Sequence, residues 1–238
     1  MMLSRRLKIG GGGAPSTLGI VDIFGDGSGI ALYQLDGNAN DTGGNYNGTP
    51  TAISYAEAKF SDGGVLNGST SVIAVPHNDA FNSDNGSYSG WFNTSDVDAD
   101  IHGLIWKCPD TTPNTSIGIS CTVDGSIKIQ FGNGSSAFIS LSTFATNSID
   151  YRDGVWHHFC VIKEYGTGDT LSIYMDGAFI VSSQFSTEHV LQNTNEFVFG
   201  KVSSASTAAR YFKGSIDQFR IFNKALSGSE VLELYNEK

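Results

Sequence analysis

An aspartate within an apolar strand raises the clearest chemical question in this sequence. The segment 214–222, "GSIDQFRIF", alternates with a period of two, which predicts a strand in which Asp217 shares one face with Phe219 and Ile221. A carboxylate on such a face needs hydrogen bonds, a cation or a metal, because an unpaired buried charge is strongly unfavourable or takes up a proton. Asp217 is therefore a candidate metal ligand.

The loop after the first predicted strand is the second candidate for metal chemistry. The stretch "QLDGNANDTGGNYNGT" places Asp36, Asn38, Asn40 and Asp41 among glycines. Carboxylate, amide and main-chain oxygens are the ligands that Ca²⁺ prefers, although the spacing is not that of an EF-hand. The same residue types also form turns without any ion. Because the first and last strands of a sandwich are often neighbours, one Ca²⁺ could join this loop to Asp217, and both interpretations stay open.

Tryptophans and histidines supply the other candidate side chains. Trp91 and Trp156 lie in strongly apolar predicted strands and are expected in the core, whereas Trp106 lies near a strand end beside a loop with prolines. An indole in that position can stack on a sugar ring, so Trp106 is the candidate ligand contact. His157 and His158 are neighbours on a strand and point to opposite faces, so they cannot share one ion, and one ring is expected inside and one outside.

Catalytic signatures are not found in the sequence. Glycan hydrolysis commonly needs two carboxylates across the scissile bond, and no predicted strand carries two inward acids at a suitable spacing. Neither a G-x-S-x-G elbow nor a phosphate-binding loop occurs. The sequence thus predicts a protein that is not an enzyme.

The three cysteines indicate a reducing compartment. Cys108, Cys121 and Cys160 allow at most one disulfide, and they have no C-x-x-C spacing of the kind that binds metals. Cys160 lies within the apolar run "WHHFCVI", where a buried and inert thiol is expected.

Charge and composition restrict the partners. The 238 residues carry a net charge of −10, which argues against nucleic acid as a partner. No segment has the ~20 apolar residues of a membrane span, and no secretory signal peptide is recognised at the start. Basic residues are concentrated in a Gly-rich N-terminal arm, residues 1–28, where Arg5, Arg6 and Lys8 are predicted to anchor the chain to a partner protein.

Short strands joined by turns account for most of the chain. About a dozen strand-like runs follow residue 29, which suits two packed antiparallel sheets. Tight hairpin turns with positive φ are predicted at Asp176-Gly177 and at Asp124-Gly125. Only the end of the chain has a helical pattern, and either Ser227 or Ser229 can cap that helix.

Several stretches, taken in order, resemble a known family. They are "ALYQLDGNANDTGGNYNGT", "SYSGWFNTS", "DGVWHHFCVIKE", "LSIYMDGAFI" and "GSIDQFRIFNKALSGSEVLELY". In this order they resemble the laminin G-like, concanavalin A-like jelly-roll family. The resemblance implies an all-β, two-sheet antiparallel sandwich over residues 29–238 with a short C-terminal helix, and a binding or adhesion module. It also implies a structural calcium held by Asp217 and, less directly, by Asp36.

The leader suggests a setting for this domain. The stretch "IVDIFGDGSGIALYQLDGNANDTGG" resembles the segment before such domains in structural proteins of tailed bacteriophages. The first hypothesis is therefore a virion protein, assembled in the host cytoplasm and oligomeric within a capsid or tail. Its arm would contact other virion proteins and its sandwich would contact surface glycans. The second hypothesis is a free carbohydrate-binding module, and the third is a glycan hydrolase or lyase.

Overall fold

The chain folds into two antiparallel sheets that pack face to face. This description rests on a computed structural model that describes residues 18–98, 100–107, 117–132, 138–166, 169–184, 194–202 and 210–238. The larger sheet contains, in spatial order, β13 (Ala178–Gln184), β12 (Thr170–Met175), β11 (His157–Glu164), β6 (Gly86–Asn93), β17 (Lys213–Phe222), β4 (Asp62–Asn67) and β3 (Ser54–Glu57), with β1 (Gly29–Tyr33) also paired to β17.

The smaller sheet has seven strands. In spatial order they are β10 (Phe138–Ser142), β9 (Ile127–Gly132), β8 (Ile117–Cys121), β7 (His102–Lys107), β14 (Phe197–Phe199), β5 (Val72–Val75) and β2 (Thr49–Thr51). A two-stranded ribbon, β15 (Lys201–Val202) with β16 (Arg210–Tyr211), adjoins this sheet. Short helices are a 3₁₀ turn at Asp79–Phe81, α1 (Phe144–Asn147) and α2 (Gly228–Tyr235). The predicted all-β jelly-roll sandwich with a C-terminal helix is confirmed.

The core lies between the two sheets and is rich in aromatic side chains. Phe199 of the smaller sheet meets Phe219 of the larger one edge to face, with ring centroids 5.2 Å apart. Alternate residues of each strand supply this core, as in β5, where Ile73 and Val75 are buried in it while Val72 and Ala74 point outward.

A bulge in β17 changes the predicted alternation around the aspartate. Gln218 has φ +49°, and the pairing of β17 with β6 shifts between Asp217 and Arg220. Ile216 and Phe219 therefore both face the core, and Asp217 lies on the opposite side of the sheet. The prediction that Asp217 shares a face with Phe219 is wrong, because one extra residue reverses the period-two pattern.

Helix α2 covers the outer face of the larger sheet. Ser227 is the N-cap and forms a capping box with Glu230, so the open choice between Ser227 and Ser229 is resolved. Val231 and Leu234 pack with Phe222 in a second apolar cluster. The helix thereby buries sheet residues that would otherwise meet water.

The described part of the N-terminal arm packs on the same outer face. Ile23 and Phe24 contact the second apolar cluster, and the Phe24 ring lies 5.6 Å from that of Phe222. The carbonyl of Ile20 accepts a hydrogen bond of 2.6 Å from Arg220. Residues 1–17, with the predicted anchors Arg5, Arg6 and Lys8, lie outside the described residues.

Both predicted hairpin turns occur, but with different geometry. Asp176 and Gly177 have φ of +51° and +77°, as a two-residue hairpin with a primed turn requires. At the other turn only Gly125 has positive φ, and its N–H donates to the Thr122 carbonyl, so that prediction of a positive-φ pair is wrong.

Two of the three cysteines lie within the described residues. Cys121 and Cys160 are buried free thiols, and burial raises the pKa of Cys121 to about 12. The predicted burial of Cys160 is confirmed, whereas Cys108 lies outside the described residues. Among the helices of the described chain, none has the length and apolar character to cross a membrane.

Candidate functional site

A groove on the outer face of the smaller sheet is the main cavity of interest. Its volume is about 540 Å³. Its lining comprises outward residues of β5, β7 and β14, the segments next to β5 and β14, and the β15–β16 ribbon: Val72, Ala74, Pro76, His77, Trp106, Thr194, Asn195, Glu196, Val198, Lys201 and Tyr211. Because every second residue of a strand points away from the core, short side chains of β5 and β14 leave room for this groove.

Trp106, which the sequence suggested as a ligand contact, lines the groove but is more enclosed than a free stacking platform. Only 6% of the residue is exposed. Its six-membered ring lies across Gly118 on the neighbouring strand, where an added Cβ would be 2.1 Å from the ring. The indole Nε1–H has no hydrogen-bond acceptor in the described structure. An unpaired buried donor of this kind costs about 1–3 kcal/mol, so a ligand oxygen that accepted this hydrogen would recover it.

Tyr211 is the second aromatic residue of the groove and is partly exposed. The ammonium group of Lys201 lies 5.8 Å from its ring centroid. His77, whose Nε2 lies 3.2 Å from Asp79 Oδ1, adds a further polar group to the groove lining. The groove thus combines aromatic surfaces with hydrogen-bonding groups and one carboxylate, Glu196. Sequence reasoning missed Tyr211 and His77, since neither lies in a pattern that distinguishes it from a structural residue.

Asp217 is fully buried and receives backbone hydrogen bonds. Its Oδ2 accepts from the N–H of Phe60 at 2.8 Å, while Oδ1 has no partner in the described structure. Burial raises the pKa of Asp217 to about 7, although the N–H groups of Phe60 and Gln218 oppose this effect. The negative charge of Asp36 raises it further, so the two carboxylates act on one another.

The first loop separates into a structural part and an open part. Asp41 is buried, and its two oxygens accept from the N–H groups of Leu32, Gly43, Asn45 and Tyr46. This carboxylate organises the loop and has no free oxygen for an ion. Asp36 is exposed and accepts from the N–H of Asp62 at 3.0 Å through Oδ1. A buried Asp217 oxygen without a donor beside a second carboxylate fits the chemistry of a hard cation.

The paired histidines face opposite sides of β11, but both are buried. His157 contacts Phe92 and Tyr151, whereas His158 lies 5.1 Å from Trp91 beneath helix α2. The expectation that one ring lies outside is wrong because the helix covers that face. Trp91 is buried as predicted and stacks on Tyr235. The expectation that Trp156 lies in the core is wrong, because this residue precedes β11 and is only half-buried.

Comparison with known protein families identifies the superfamily of this chain. Residues 67–232 match the model of a laminin G domain family described as the concanavalin A-like lectin/glucanases superfamily. The chain belongs to this superfamily. No curated protein matches this superfamily member in sequence.

Solved structures share the fold of this superfamily member. Domain 4 of AbnA, a GH43 extracellular arabinanase from Geobacillus stearothermophilus solved with arabinotriose, is 26% identical, with a TM-score of 0.69 over 87% of this chain and 97% of that one. The binding domain of Paraclostridial Mosquitocidal Protein 1 is 21% identical, with a TM-score of 0.68. The match covers 87% of this chain and 51% of that one. The CBM40 of the Ruminococcus gnavus IT-sialidase, solved with alpha2,3 sialyllactose, is 14% identical, with a TM-score of 0.56 over 65% of this chain and 83% of that one.

Proposed function

We propose that this concanavalin A-like domain is a non-catalytic glycan-binding module and that the groove beside Trp106 and Tyr211 holds the sugar. The observation that carries the proposal is the pairing of two aromatic side chains with polar groups in one cavity. Sugars offer both apolar C–H faces and hydroxyls, and sites with this mixture suit them. Two structural neighbours were solved with oligosaccharides, which supports the same class of ligand.

The composition of the groove also supports a binding role over hydrolysis. Glu196 is the single carboxylate among the described lining residues. Glycoside hydrolysis usually requires a second carboxylate across the scissile bond.

Calorimetry with arabino-oligosaccharides and sialyllactose tests the binding proposal. We expect Tyr211→Ala to weaken the affinity about tenfold, equal to about 1.4 kcal/mol. Phe179→Ala is the matched control, because Phe179 is an exposed aromatic residue on the other sheet. Equal affinities for both variants, or the failure of every glycan in a broad array to bind the unmodified protein, would refute a sugar site in this groove.

We also infer that Asp36 and Asp217 hold a structural Ca²⁺ that joins the first loop to the last strand. The unpartnered Asp217 oxygen supports this inference. Ca²⁺ at one hundred times its Kd should stabilise the protein by about 2.7 kcal/mol, seen as a rise in Tm. Asp217→Asn should abolish that response, whereas Asp79→Asn, at an exposed acid outside the pair, should retain it. A Ca²⁺ response that survives Asp217→Asn would place the ion elsewhere.

For the whole protein we propose display on a bacteriophage particle, with Arg5, Arg6 and Lys8 of the arm contacting other virion proteins. The resemblance of the leader to phage structural proteins supports this setting. Co-sedimentation with phage particles tests this anchoring role. The native chain is compared with a variant in which all three basic residues are replaced by serine, and only the native chain should co-sediment. A deletion should stop at residue 17, because residues 20–24 pack on the sandwich. Equal co-sedimentation of the native and substituted chains would argue against the anchor.

A further inference from the structure

Three metal-ligating side chains converge away from the groove and from Asp217. Asp96 and Asp98 lie in the connection that precedes β7, and His102 is the first residue of that strand. One ligand atom from each residue lies within 4.8 Å of the other two. His102 is 5% exposed, whereas the Asp98 side chain is 54% exposed, so the cluster combines a buried ligand with an open side.

The hydrogen bonds of His102 determine which nitrogen faces the carboxylates. Nδ1 lies 2.9 Å from the carbonyl oxygen of Tyr211, and because a carbonyl only accepts, Nδ1 must carry hydrogen. Nε2 lies 2.7 Å from Asp98 Oδ1. A neutral ring therefore directs the Nε2 lone pair at a carboxylate, an arrangement that requires either a second proton or a cation. A histidine that donates one N–H to a backbone carbonyl and presents its other nitrogen is the usual arrangement of a metal ligand.

His157 provides a contrast, because neither of its ring nitrogens is available to a metal. His157 also has an aspartate four residues before it, and its Nε2 lies 3.1 Å from Asp153 Oδ1. Its Nδ1 lies 2.9 Å from Asp176 Oδ2, so both nitrogens face carboxylates and both must carry hydrogen. That ring has no lone pair for a metal, whereas His102 has one.

We propose that Asp96, Asp98 and His102 bind a first-row transition-metal dication of the Zn²⁺ class. Imidazole nitrogen suits Zn²⁺ and its neighbours, whereas Ca²⁺ and Mg²⁺ prefer oxygen ligands. Two carboxylates and one neutral imidazole carry a charge of −2, which balances the dication. Water can complete the tetrahedral shell from the open side of Asp98.

The surrounding charges are compatible with an ion. Lys213 Nζ lies 3.9 Å from Asp96 Oδ2, but this lysine side chain is 61% exposed and can turn into solvent when a cation enters. Asp100 pairs with Arg210 at 2.8 Å and donates its N–H to Asp98 Oδ1 at 3.1 Å. These bonds hold the Asp98 carboxylate toward His102.

This metal site also adjoins the proposed sugar groove. His102 donates a hydrogen bond to the Tyr211 carbonyl, and Tyr211 lines the groove. A metal ion that fixed the His102 ring would therefore also restrain Tyr211. We expect Zn²⁺ to raise glycan affinity, a consequence that rests on the proposed function. If the protein binds Zn²⁺ but no sugar, the proposed function is refuted and the metal site stands. If it binds sugar but no Zn²⁺, the metal site is refuted and the proposed function stands.

Titration of the full, chelator-treated chain with Zn²⁺ in excess Ca²⁺ tests the site by calorimetry. We expect one site that Ca²⁺ does not block and that Asp98→Asn weakens by about 100-fold. Asp153→Asn is the matched control, since it breaks the same kind of Asp–His contact and should leave Zn²⁺ affinity unchanged. Absence of Zn²⁺ binding, or equal binding by the Asp98→Asn chain, would overturn the proposal.

Long-range ¹H–¹⁵N spectra of the histidine rings give a readout that does not depend on a variant. Zn²⁺ should shift His102 Nε2 to a metal-bound value while Nδ1 keeps its proton, and His157 should not change. A Zn²⁺-induced shift at another histidine, with His102 unchanged, would contradict the proposed ligand.

Discussion

At the scale of single residues, burial and hydrogen bonds together set the pKa of each histidine in β11. Burial disfavours the charged form of both β11 histidines, and it is the main reason that the pKa of His158 falls to about 3. His157 is different, because its hydrogen bonds to Asp176 and Asp153 outweigh burial and raise its pKa. The pKa values of two neighbouring histidines are therefore shifted in opposite directions.

The first prediction concerns the pH dependence of the His157 contribution. Because its folded-state pKa is raised, the stabilisation should be fully present below the unfolded value of about 6.5 and should be lost as pH rises through the folded-state value. The free energy of unfolding lost in His157→Gln should thus be larger at pH 6 than well above neutrality. Urea unfolding of both chains at each pH measures it, and the difference between chains cancels the other titrating groups. A pH-independent difference would contradict the imidazolium assignment.

At the scale of elements, the bulge in β17 requires space in the neighbouring strand. It turns the Phe219 ring toward β6, where a Cβ on Gly90 would lie 2.0 Å from that ring. The bulge therefore depends on this glycine, because a side chain at position 90 would occupy the space of the Phe219 ring.

The second prediction follows from this contact. Gly90→Ala should reduce the free energy of unfolding by about 1–3 kcal/mol through overpacking. Gly86→Ala in the same strand is the control, since its added Cβ meets nothing closer than 3.4 Å. Chemical denaturation compares the two variants, and equal stabilities would mean that Phe219 moves without penalty.

The third prediction distinguishes the two serines before helix α2. Ser227 Oγ accepts the N–H of Glu230, and Ser227→Ala should cost about 1 kcal/mol. Ser229→Ala should have a much smaller effect because Ser229 is not the N-cap. Thermal or urea unfolding measures both, and a larger loss for Ser229→Ala would contradict the capping assignment.

At the scale of the whole molecule, the buried Arg220 side chain joins the last strand to residues near both ends of the described chain. Arg220 donates to the Ile20 carbonyl and pairs with Glu237 at 2.5 Å, and both charged side chains are buried. Burying such charges is unfavourable unless each has its partner. Arg220 thus makes the stability of the sandwich depend on residues near both ends of the described chain.

The fourth prediction measures that dependence. Glu237→Gln should lower the free energy of unfolding by about 3–5 kcal/mol, because it leaves Arg220 charged and without its counter-ion. Glu233→Gln, at an exposed acid of helix α2, is the control and should change little. Comparable small losses in both variants, measured by urea unfolding, would show that the pair is not a determinant of stability.

Local patterns in the sequence determined the fold class, because alternation and turn residues act over a few positions. The helix and its apolar face were equally readable from the capping serine and the spacing of Val231 and Leu234. β4 has a weak local pattern, since its adjacent glycines interrupt the alternation, yet it pairs with β17 within the sheet.

Only the tertiary structure decided where the candidate sites lie. The groove draws its lining from strands distant along the chain, so no local pattern places Trp106 beside Tyr211. The bulge at Gln218 reversed the face of Asp217, and a period-two pattern does not include an inserted residue. The orientation of His102 likewise depends on a carbonyl 109 positions away, a contact that forms only when β16 packs beside β7.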